Sequence, residues 1–443
     1  MRSSSSSVTV DRLIAHLRQV SPTIVYSGLT AGLGLVGGVV LARALGPTYR
    51  GEMAGVVAWI GMIAVLGDIG VGYAVSYLVA KSPERVHRLW SQAILIALTA
   101  GVALGLLGTL VLPSHLHLSG LSRASVLLGF FSIPAMLAAN HQGYLLLGAG
   151  YLRDTNRVRL TAAATYAGGV MALAAAGLHT PSGFLIVFSL AQFLSCGAGA
   201  LYCRRRLAVR FELGSDGLRD VLSYGAKSLA GALSAQANQR LDQLLMSIWL
   251  SPAVLGLYVV AVALGSVITP LYGALTLVAS TAVLRAPTKQ EGAKRATRHM
   301  MFAVLLSVPA ICALVLLVPS LLSLLFGSSF APAATMARIL LAASLFQGVN
   351  QISGGVLRSL GQPGRHAFSE LAGVAVTIVL LIELLPRLGA MGAAVTSLVA
   401  YAAVSGLQVF FVYQAACPTI ASLERRRGGD TAMASRPMII SRR

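Results

Sequence analysis

Between Lys227 and Ser247 the chain carries polar side chains almost all the way round a helix, although apolar runs flank it on both sides. At 100° per residue Lys227, Ser234, Asn238 and Asp242 share one face, and Gln236, Gln239, Arg240, Gln243 and Ser247 share the opposite one. The types present, a guanidinium, an ammonium, carboxamides and a carboxylate, suit the holding of a charged, hydroxyl-rich solute rather than bond-making chemistry. An ionised Arg or Asp at the centre of a membrane-spanning helix costs about 2.5 to 3.5 kcal/mol on insertion scales. The stretch must therefore be shielded by protein or line a watery cavity, and it reads as the wall of a transport path.

The elements that position it are set by composition. Of 443 residues, 56% are apolar and only 11% charged, too greasy for a soluble domain of this length, so the chain is expected to be an all-α polytopic membrane protein. Segments long enough to cross about 30 Å of hydrocarbon recur near residues 24–45, 53–80, 89–112, 123–148, 158–178 and 182–203, and again near 221–249, 253–283, 300–326, 332–357, 367–386 and 390–414. The expected organisation is an amphipathic leader (1–20), a six-helix lobe (21–203), an inter-lobe loop (204–220), a second six-helix lobe (221–415) and a basic tail (416–443). A secretory signal is the rival reading of the leader, but the run that follows is long enough to span and lacks a convincing cleavage site.

The formal net charge of +20 needs no nucleic acid, because its placement follows topology. Only Arg43, Arg50, Arg123 and Arg387 stand at odd-numbered connections and only Lys227, Arg240 and Arg338 inside spans; the rest of the 34 Lys and Arg, Arg153, Arg157 and Arg159 among them, go with the leader, the even-numbered loops and the tail. The positive-inside rule then puts both termini in the cytoplasm, as expected of a multi-pass protein of a bacterial-type cytoplasmic membrane. Contact with anionic membrane lipids accounts for the basic loops.

Internal repetition points to two related halves. Pro47-Thr48-Tyr49-Arg50-Gly51 recurs as Pro252-Ala253-Val254-Leu255-Gly256, and Asn140-His141-Gln142 with Gly150 resembles Asn350-Gln351 with Gly361. Six spans per half is an even number, so the halves are expected to be parallel repeats about a pseudo-two-fold axis along the membrane normal, with the solute between them.

Leu41-Ala42-Arg43-Ala44-Leu45-Gly46-Pro47 with Arg50-Gly51, then Gly67-Asp68-Ile69-Gly70-Val71-Gly72, resembles the opening of the polysaccharide-transport branch of the multidrug/oligosaccharidyl-lipid/polysaccharide flippase superfamily. Arg240 to Leu245 running to Ser251-Pro252 and Gly256-Leu257-Tyr258, and Leu385 to Ala394, are similar to blocks in the second half of that family. The resemblance implies export by alternating access of a lipid-linked oligosaccharide, its polyprenyl tail in the bilayer and its diphosphate and sugars in a central cavity, with other glycan-assembly proteins as possible partners.

Such a cargo needs cations inside the membrane. Arg240 is the first candidate, with Lys227 nearer the cytoplasmic end of the same helix and Arg43 and Arg50 at the outer end of the first two spans. Gln236, Asn238, Gln239, Gln243, Asn140, Gln142, Asn350 and Gln351 could match sugar hydroxyls. The structural alternatives are that Arg240 neutralises Asp242 or Asp68, that Arg43 and Arg50 snorkel, and that the amides join helices. Asp68 and Asp242 are candidates for coupling to H+ or Na+, against a structural ion pair or a helix bend at Gly67 and Gly70. His141 reads as a packing residue rather than a proton relay.

No Gly-x4-Gly-Lys-Ser/Thr run is present, His115 and His117 are too few for a metal site, and the four cysteines suggest inert thiols, so no cofactor beyond a possible coupling ion is expected and no catalytic residue is assigned. A membrane polymerase would need acid on the outer loops, which carry almost none. The remaining alternative is an ion-coupled small-molecule or drug antiporter of the same superfamily, whose cavity would be acidic for cationic cargo.

Overall fold

A helix satisfies its own backbone hydrogen bonds, which is why apolar runs of this length fold as helices in lipid. The computed structural model describes residues 4–417 other than 117, 213 and 215, and the side chains of these other than 4–24, 227, 228 and 230–232. The amphipathic face of the leader, the Lys227 side chain, His117 and the tail beyond 417 lie outside the described residues.

In the first half, α1 (Ser4–Asp68) is followed by α2 (Val71–Lys81), α3 (Val86–Val111), α4 (Arg123–Phe131), α5 (Ile133–Gly148), α6 (Leu152–Ala175) and α7 (Pro181–Leu207). The second half contains α8 (Leu218–Trp249), α9 (Pro252–Gly265), α10 (Thr269–Leu284), α11 (Lys289–Leu321), α12 (Ala334–Ser359), α13 (Pro363–Leu388) and α14 (Ala390–Ala416). Ten of the described helical segments are long and apolar enough to cross a membrane. The first, Val25–Asp68, is 44 residues long, and it turns at Gly46, whose φ of +66° leaves the helical region. At 1.5 Å per residue it would otherwise extend about 66 Å, so it accounts for two crossings. α8 supplies the twelfth, and its polar middle keeps it out of the apolar set.

The second span breaks next to a carboxylate. α1 ends at Asp68, Ile69 has φ +48° and Gly70 φ +71°, and α2 then continues the crossing. A β-branched residue in the left-handed region is strained, so the surroundings must hold this break in place. Elsewhere the ends follow familiar chemistry. The Ser122 hydroxyl accepts from the Ser125 N–H at the start of α4, and the Thr180 hydroxyl accepts from the Gly183 N–H ahead of Pro181 at the start of α7.

Each half has its own apolar core. One cluster runs through α9 to α14, and others join α2, α3, α5 and α7. The halves meet at their repeated outer turns. A Cβ at Gly51 would lie 1.7 Å from the Pro252 carbonyl oxygen, and one at Gly256 would lie 1.9 Å from that of Pro47. The contact is reciprocal, the first position of each motif against the last of the other, as a two-fold axis between the halves requires. Just inside it, Trp59 Nε1 donates to Ser247 Oγ at 3.0 Å, and Ala58 and Met62 pack on Leu244. The outer side is closed.

At the inner end, α8 lies against the second span. Gly225 and Gly70 touch through their backbones, and Tyr77 and Tyr224 stack with ring centroids 4.8 Å apart. The connection from α7 to α8 is pinned to α3: Arg88 meets Glu212 at 2.5 Å and Asp216 at 3.1 Å, and Gln92 Nε2 donates to the Gly214 carbonyl at 2.9 Å. Gly28 and Gly32, and Gly34 and Gly38, sit four apart, a spacing that suits close helix packing, but the structure does not use it. Gly28, Gly32, Gly34 and Gly38 have no other helix within reach of a Cβ.

Replacing Gly51 with Val should force the outer turns apart. In a variant without native cysteines, Ala58→Cys should react with a membrane-impermeant maleimide added from outside only when Gly51→Val is also present. Equal labelling with Gly51 retained would mean that this contact does not close the outer side.

Candidate functional site

Beneath the closed outer turns lies a cavity of about 670 Å³, walled by the second span, α5, α6, α7 and the middle of α8. Asp68, Asn140, Arg159, Gln236, Gln239 and Arg240 face it. A smaller pocket of about 120 Å³ lies on the other side of α8, among Gln239, Arg240, Asp242, Gln243, Ser397 and Tyr401. α8 is thus a partition between two wet spaces, and Gln239 and Arg240 border both. That arrangement is what allows a helix polar on opposite faces to exist at this depth.

Arg240 forms no ion pair among the described residues; Nη1 donates to Gln243 Oε1 at 3.1 Å. The expected alternative of a pair with Asp242 or Asp68 is not realised. Asp242 is buried and takes hydrogen bonds from the Tyr258 hydroxyl, from Ser397 Oγ at 3.5 Å and from the Gln243 N–H at 2.7 Å. Arg50 turns inward from the outer end of the second span instead of reaching for solvent. Its Nε is buried without a hydrogen-bond partner, and Tyr166 and Arg240 are the charged or polar groups that act on it electrostatically. Arg50 is thus buried behind the outer turn and is not among the residues that line the cavity.

Arg43 is placed elsewhere. Its Nε donates to the Leu325 carbonyl at 2.7 Å and its Nη2 to the Leu324 carbonyl, so it caps a π-helical turn (Leu322–Phe326) of the other half. It ties the two halves at the outer face and is not in the cavity, because the Gly46 turn aims it across the interface.

The amides divide in the same way. Gln236, Gln239 and Asn140 line the cavity. Asn238 donates to Glu370 Oε2 at 2.9 Å and to the Glu370 carbonyl at 3.1 Å, joining α8 to α13. Asn350 donates to the Tyr401 carbonyl and accepts from Ser405 Oγ at 2.7 Å, joining α12 to α14. Gln142 is buried against Gly199, and Gln351 is exposed on α12. Both Glu370 and Glu383 stand near span ends, where solvation would be expected, but Glu370 is largely buried by these bonds, whereas Glu383 is exposed and pairs with Arg387 at 2.6 Å.

Asp68 is 8% exposed, and its Oδ1 meets His141 Nε2 at 2.7 Å and Asn140 Nδ2 at 3.4 Å. His141 Nδ1 lies 2.9 Å from the Ala93 carbonyl, which can only accept, so Nδ1 carries a hydrogen. A hydrogen must then lie between Nε2 and Oδ1, shared by the pair. His141 is buried and hydrogen-bonded at both ring nitrogens, as a hydrogen-bonded packing residue would be.

Sequence reasoning missed Arg159. Grouped with Arg153 and Arg157 it looks like loop charge, but α6 starts at Leu152, two turns earlier. Arg157 and Arg206 are held by the buried Asp154 at 2.9 and 2.8 Å, which leaves Arg159 to face the cavity. Thr155, Arg159 and Ala162 recur at helical spacing on the lining face, the signal that could have found it. Tyr73 and Tyr144, ring centroids 5.0 Å apart, line the same wall.

Two six-helix halves about a central cleft, closed outside and lined by unpaired cations, define an alternating-access membrane transporter. The family described as "Polysaccharide biosynthesis protein" matches residues 16–283, more than half of the sequence, and the chain belongs to it. A curated relative, the probable low-salt glycan biosynthesis flippase Agl15 of Haloferax volcanii, is 24% identical over 383 residues, covering 84% of this chain and 78% of its own. Among solved structures, the lipid II flippase MurJ in an inward closed conformation superposes with a TM-score of 0.71 at 13% identity, over 93% of this chain and 92% of its own. An inward-facing multidrug resistance MATE family transporter of the MOP superfamily gives 0.68 at 13% identity, over 92% and 96%.

Removing the Tyr258 hydroxyl should expose the cost of the buried Asp242 carboxylate. Tyr258→Phe is expected to lower stability by about 1 to 3 kcal/mol, read as a drop in the thermal unfolding midpoint in detergent. An unchanged midpoint would show that Ser397 and the Gln243 N–H satisfy the carboxylate alone.

Proposed function

We propose that this protein is a flippase that carries a polyprenyl-diphosphate-linked oligosaccharide across the cytoplasmic membrane by alternating access, both termini lying inside. The observation that carries the reading is Arg240 with Arg159, two guanidinium groups within the membrane with no ion-pair partner among the described residues, on the wall of a cavity of about 670 Å³ that Gln236, Gln239 and Asn140 also line. Unpaired cations in a low-dielectric layer are costly unless an anion visits them, and a forked guanidinium matches a diphosphate. The name of the Haloferax relative and the fold shared with the lipid II flippase agree with this cargo class. As a carrier the protein would change no covalent bond of its cargo, and other glycan-assembly proteins would supply and consume it.

The drug-antiporter alternative is less well supported. Cationic cargo would need carboxylates open to the cavity, but Asp68 shares a proton with His141 and Asp242 is held by Tyr258. Asp68 instead suits coupling. Nitrogen groups, His141 Nε2 and Asn140 Nδ2, meet its Oδ1, where a sodium site would want several oxygens, so the coupling ion of this reading is a proton.

Arg240→Ala and Arg159→Ala should each lower transport at least about tenfold at unchanged membrane abundance, the scale of one charge-assisted contact. The readout is mass spectrometry of host lipid extracts for trapped polyprenyl-diphosphate oligosaccharide. Normal export by Arg240→Ala would remove this residue from the site, and no trapped intermediate on depletion of the protein would shift the reading to the antiporter.

Coupling is tested in proteoliposomes. Asp68→Asn and His141→Phe should abolish the dependence of transport on an imposed pH gradient, while a sodium gradient should have no effect on the unmodified protein. Full gradient sensitivity in Asp68→Asn would place coupling elsewhere.

A further inference from the structure

A second, open recess lies between α10 and α12 near their inner ends. Its volume is about 490 Å³; Thr276, Ser280, Arg358 and Ser359 give it polar groups, Leu277 and Leu284 an apolar side, and Gly273 and Gly355 its floor. Arg358 is exposed and has no ion-pair partner among the described residues. Its Nη1 lies 2.6 Å from His366 Nε2, and because a guanidinium can only donate, Nε2 must accept. The imidazole therefore fixes the direction of the guanidinium without cancelling its charge. The nearest carboxylate behind it, Glu370, is 3.9 Å from His366 Nδ1 and is engaged by Asn238 and Gln408.

The rim has complementary chemistry. Thr276 Oγ1 and Ser359 Oγ donate to the Tyr272 and Gly355 carbonyls at 2.7 and 3.0 Å, which leaves each oxygen able to accept from another molecule's hydroxyl. A directed guanidinium beside hydroxyl acceptors suits a ligand that carries phosphate next to sugar.

Position separates this recess from the central cations. On α12, Leu340 borders the same small pocket as Arg240, and Arg358 lies 18 residues further towards the inner end, about 27 Å at 1.5 Å per residue. Tyr73, on the wall of the large cavity, and Glu370 are the groups near Arg358, so the guanidinium lies on the side of α12 towards that cavity.

We propose that Arg358, oriented by His366, forms with Thr276, Ser280 and Ser359 a loading site at the inner mouth, which takes the phosphate and first sugar of a lipid-linked saccharide before it moves to Arg240. The proposal rests on the flippase reading and adds a separate, earlier site to it.

The test uses the full chain in nanodiscs, with binding followed by native mass spectrometry and a thermal unfolding midpoint as the check on folding. The probes are polyprenyl-diphosphate N-acetylglucosamine, polyprenyl monophosphate, phosphatidylglycerol and inorganic pyrophosphate. In an Arg240→Gln background, where the central site is weakened, Arg358→Gln should reduce binding of the diphosphate saccharide a further tenfold or so. Arg358→Lys, which keeps charge but loses the fork, should fall between, and Ser280→Ala, a small change with little risk to folding, should weaken the saccharide probe more than the monophosphate.

Binding unaffected by Arg358→Gln or Ser280→Ala, with Arg240→Gln still impaired, would overturn the loading site and leave the flippase reading intact. An equal loss of phosphatidylglycerol binding would reduce Arg358 to a general lipid contact, and an equal loss of pyrophosphate binding would reduce it to a site for free phosphates; either outcome overturns the proposal. Failure of the unmodified protein to bind the diphosphate saccharide at all would instead count against the flippase reading itself, and the loading site would fall with it.

Discussion

Everything in this molecule hangs from one backbone contact. Gly51 against Pro252 and Gly256 against Pro47 bring two helix pairs closer than any side chain would permit. With no Cβ in the way, the first two spans of each half meet at the axis, and the space beneath them becomes a cleft open towards the other side. Arg43 reinforces the closure by donating to the carbonyls of a turn that has left its own helical ladder. Apolar packing lies beside the backbone contact, Ala58 and Met62 on Leu244 and Ala42 among the α9 residues, so opening the joint would have to uncover it.

α8 is the second constraint. A helix with Lys227, Asn238, Arg240 and Asp242 along it cannot face hydrocarbon, and the structure gives it no lipid-facing role. Its outer end packs on Ala58 and Met62, its inner end on Gly70 and Tyr77, and its far side on Glu370 and Tyr401. Polar side chains on one face are spent on joining helices, and those on the other look into the cavity. The same partition accounts for the different fates of neighbours such as Asn238 and Gln239, one residue and about 100° apart.

The break in the second span links these parts. Asp68 ends α1, a strained Ile69 follows, and Gly70 touches Gly225 of α8 through backbone atoms. The carboxylate that shares a proton with His141 is thus covalently adjacent to the joint between the second span and α8. In the proton-coupled reading proposed above, this adjacency is the route by which the pair would bear on the packing of the central helix.

The class of protein, the number of crossings, the two related halves and the special standing of α8 were legible in the sequence, because they depend on apolar length, charge placement and repetition, which are local or periodic properties. Arg240, Gln236, Gln239, Asn140 and Asp68 could be marked as candidates for the same reason: polar groups at that depth need an explanation. Which of them meet was decided only by the tertiary structure. Arg50 and Arg43 stand seven residues apart at one outer turn, yet one is buried within the protein and the other reaches across the interface to the Leu324 and Leu325 carbonyls, because the chain turns at Gly46 between the two spans. Arg159 escaped notice through the company of Arg153 and Arg157; the i,i+3 pair of Arg157 with Asp154 is local to α6, but the second claim on Asp154, by Arg206, appears only once α6 and α7 are seen side by side. The sharing of a proton by Asp68 and His141 depends on helices far apart in the chain, and hydrogen-bond direction at 2.7 Å is a property of three-dimensional distance that no spacing along a sequence encodes.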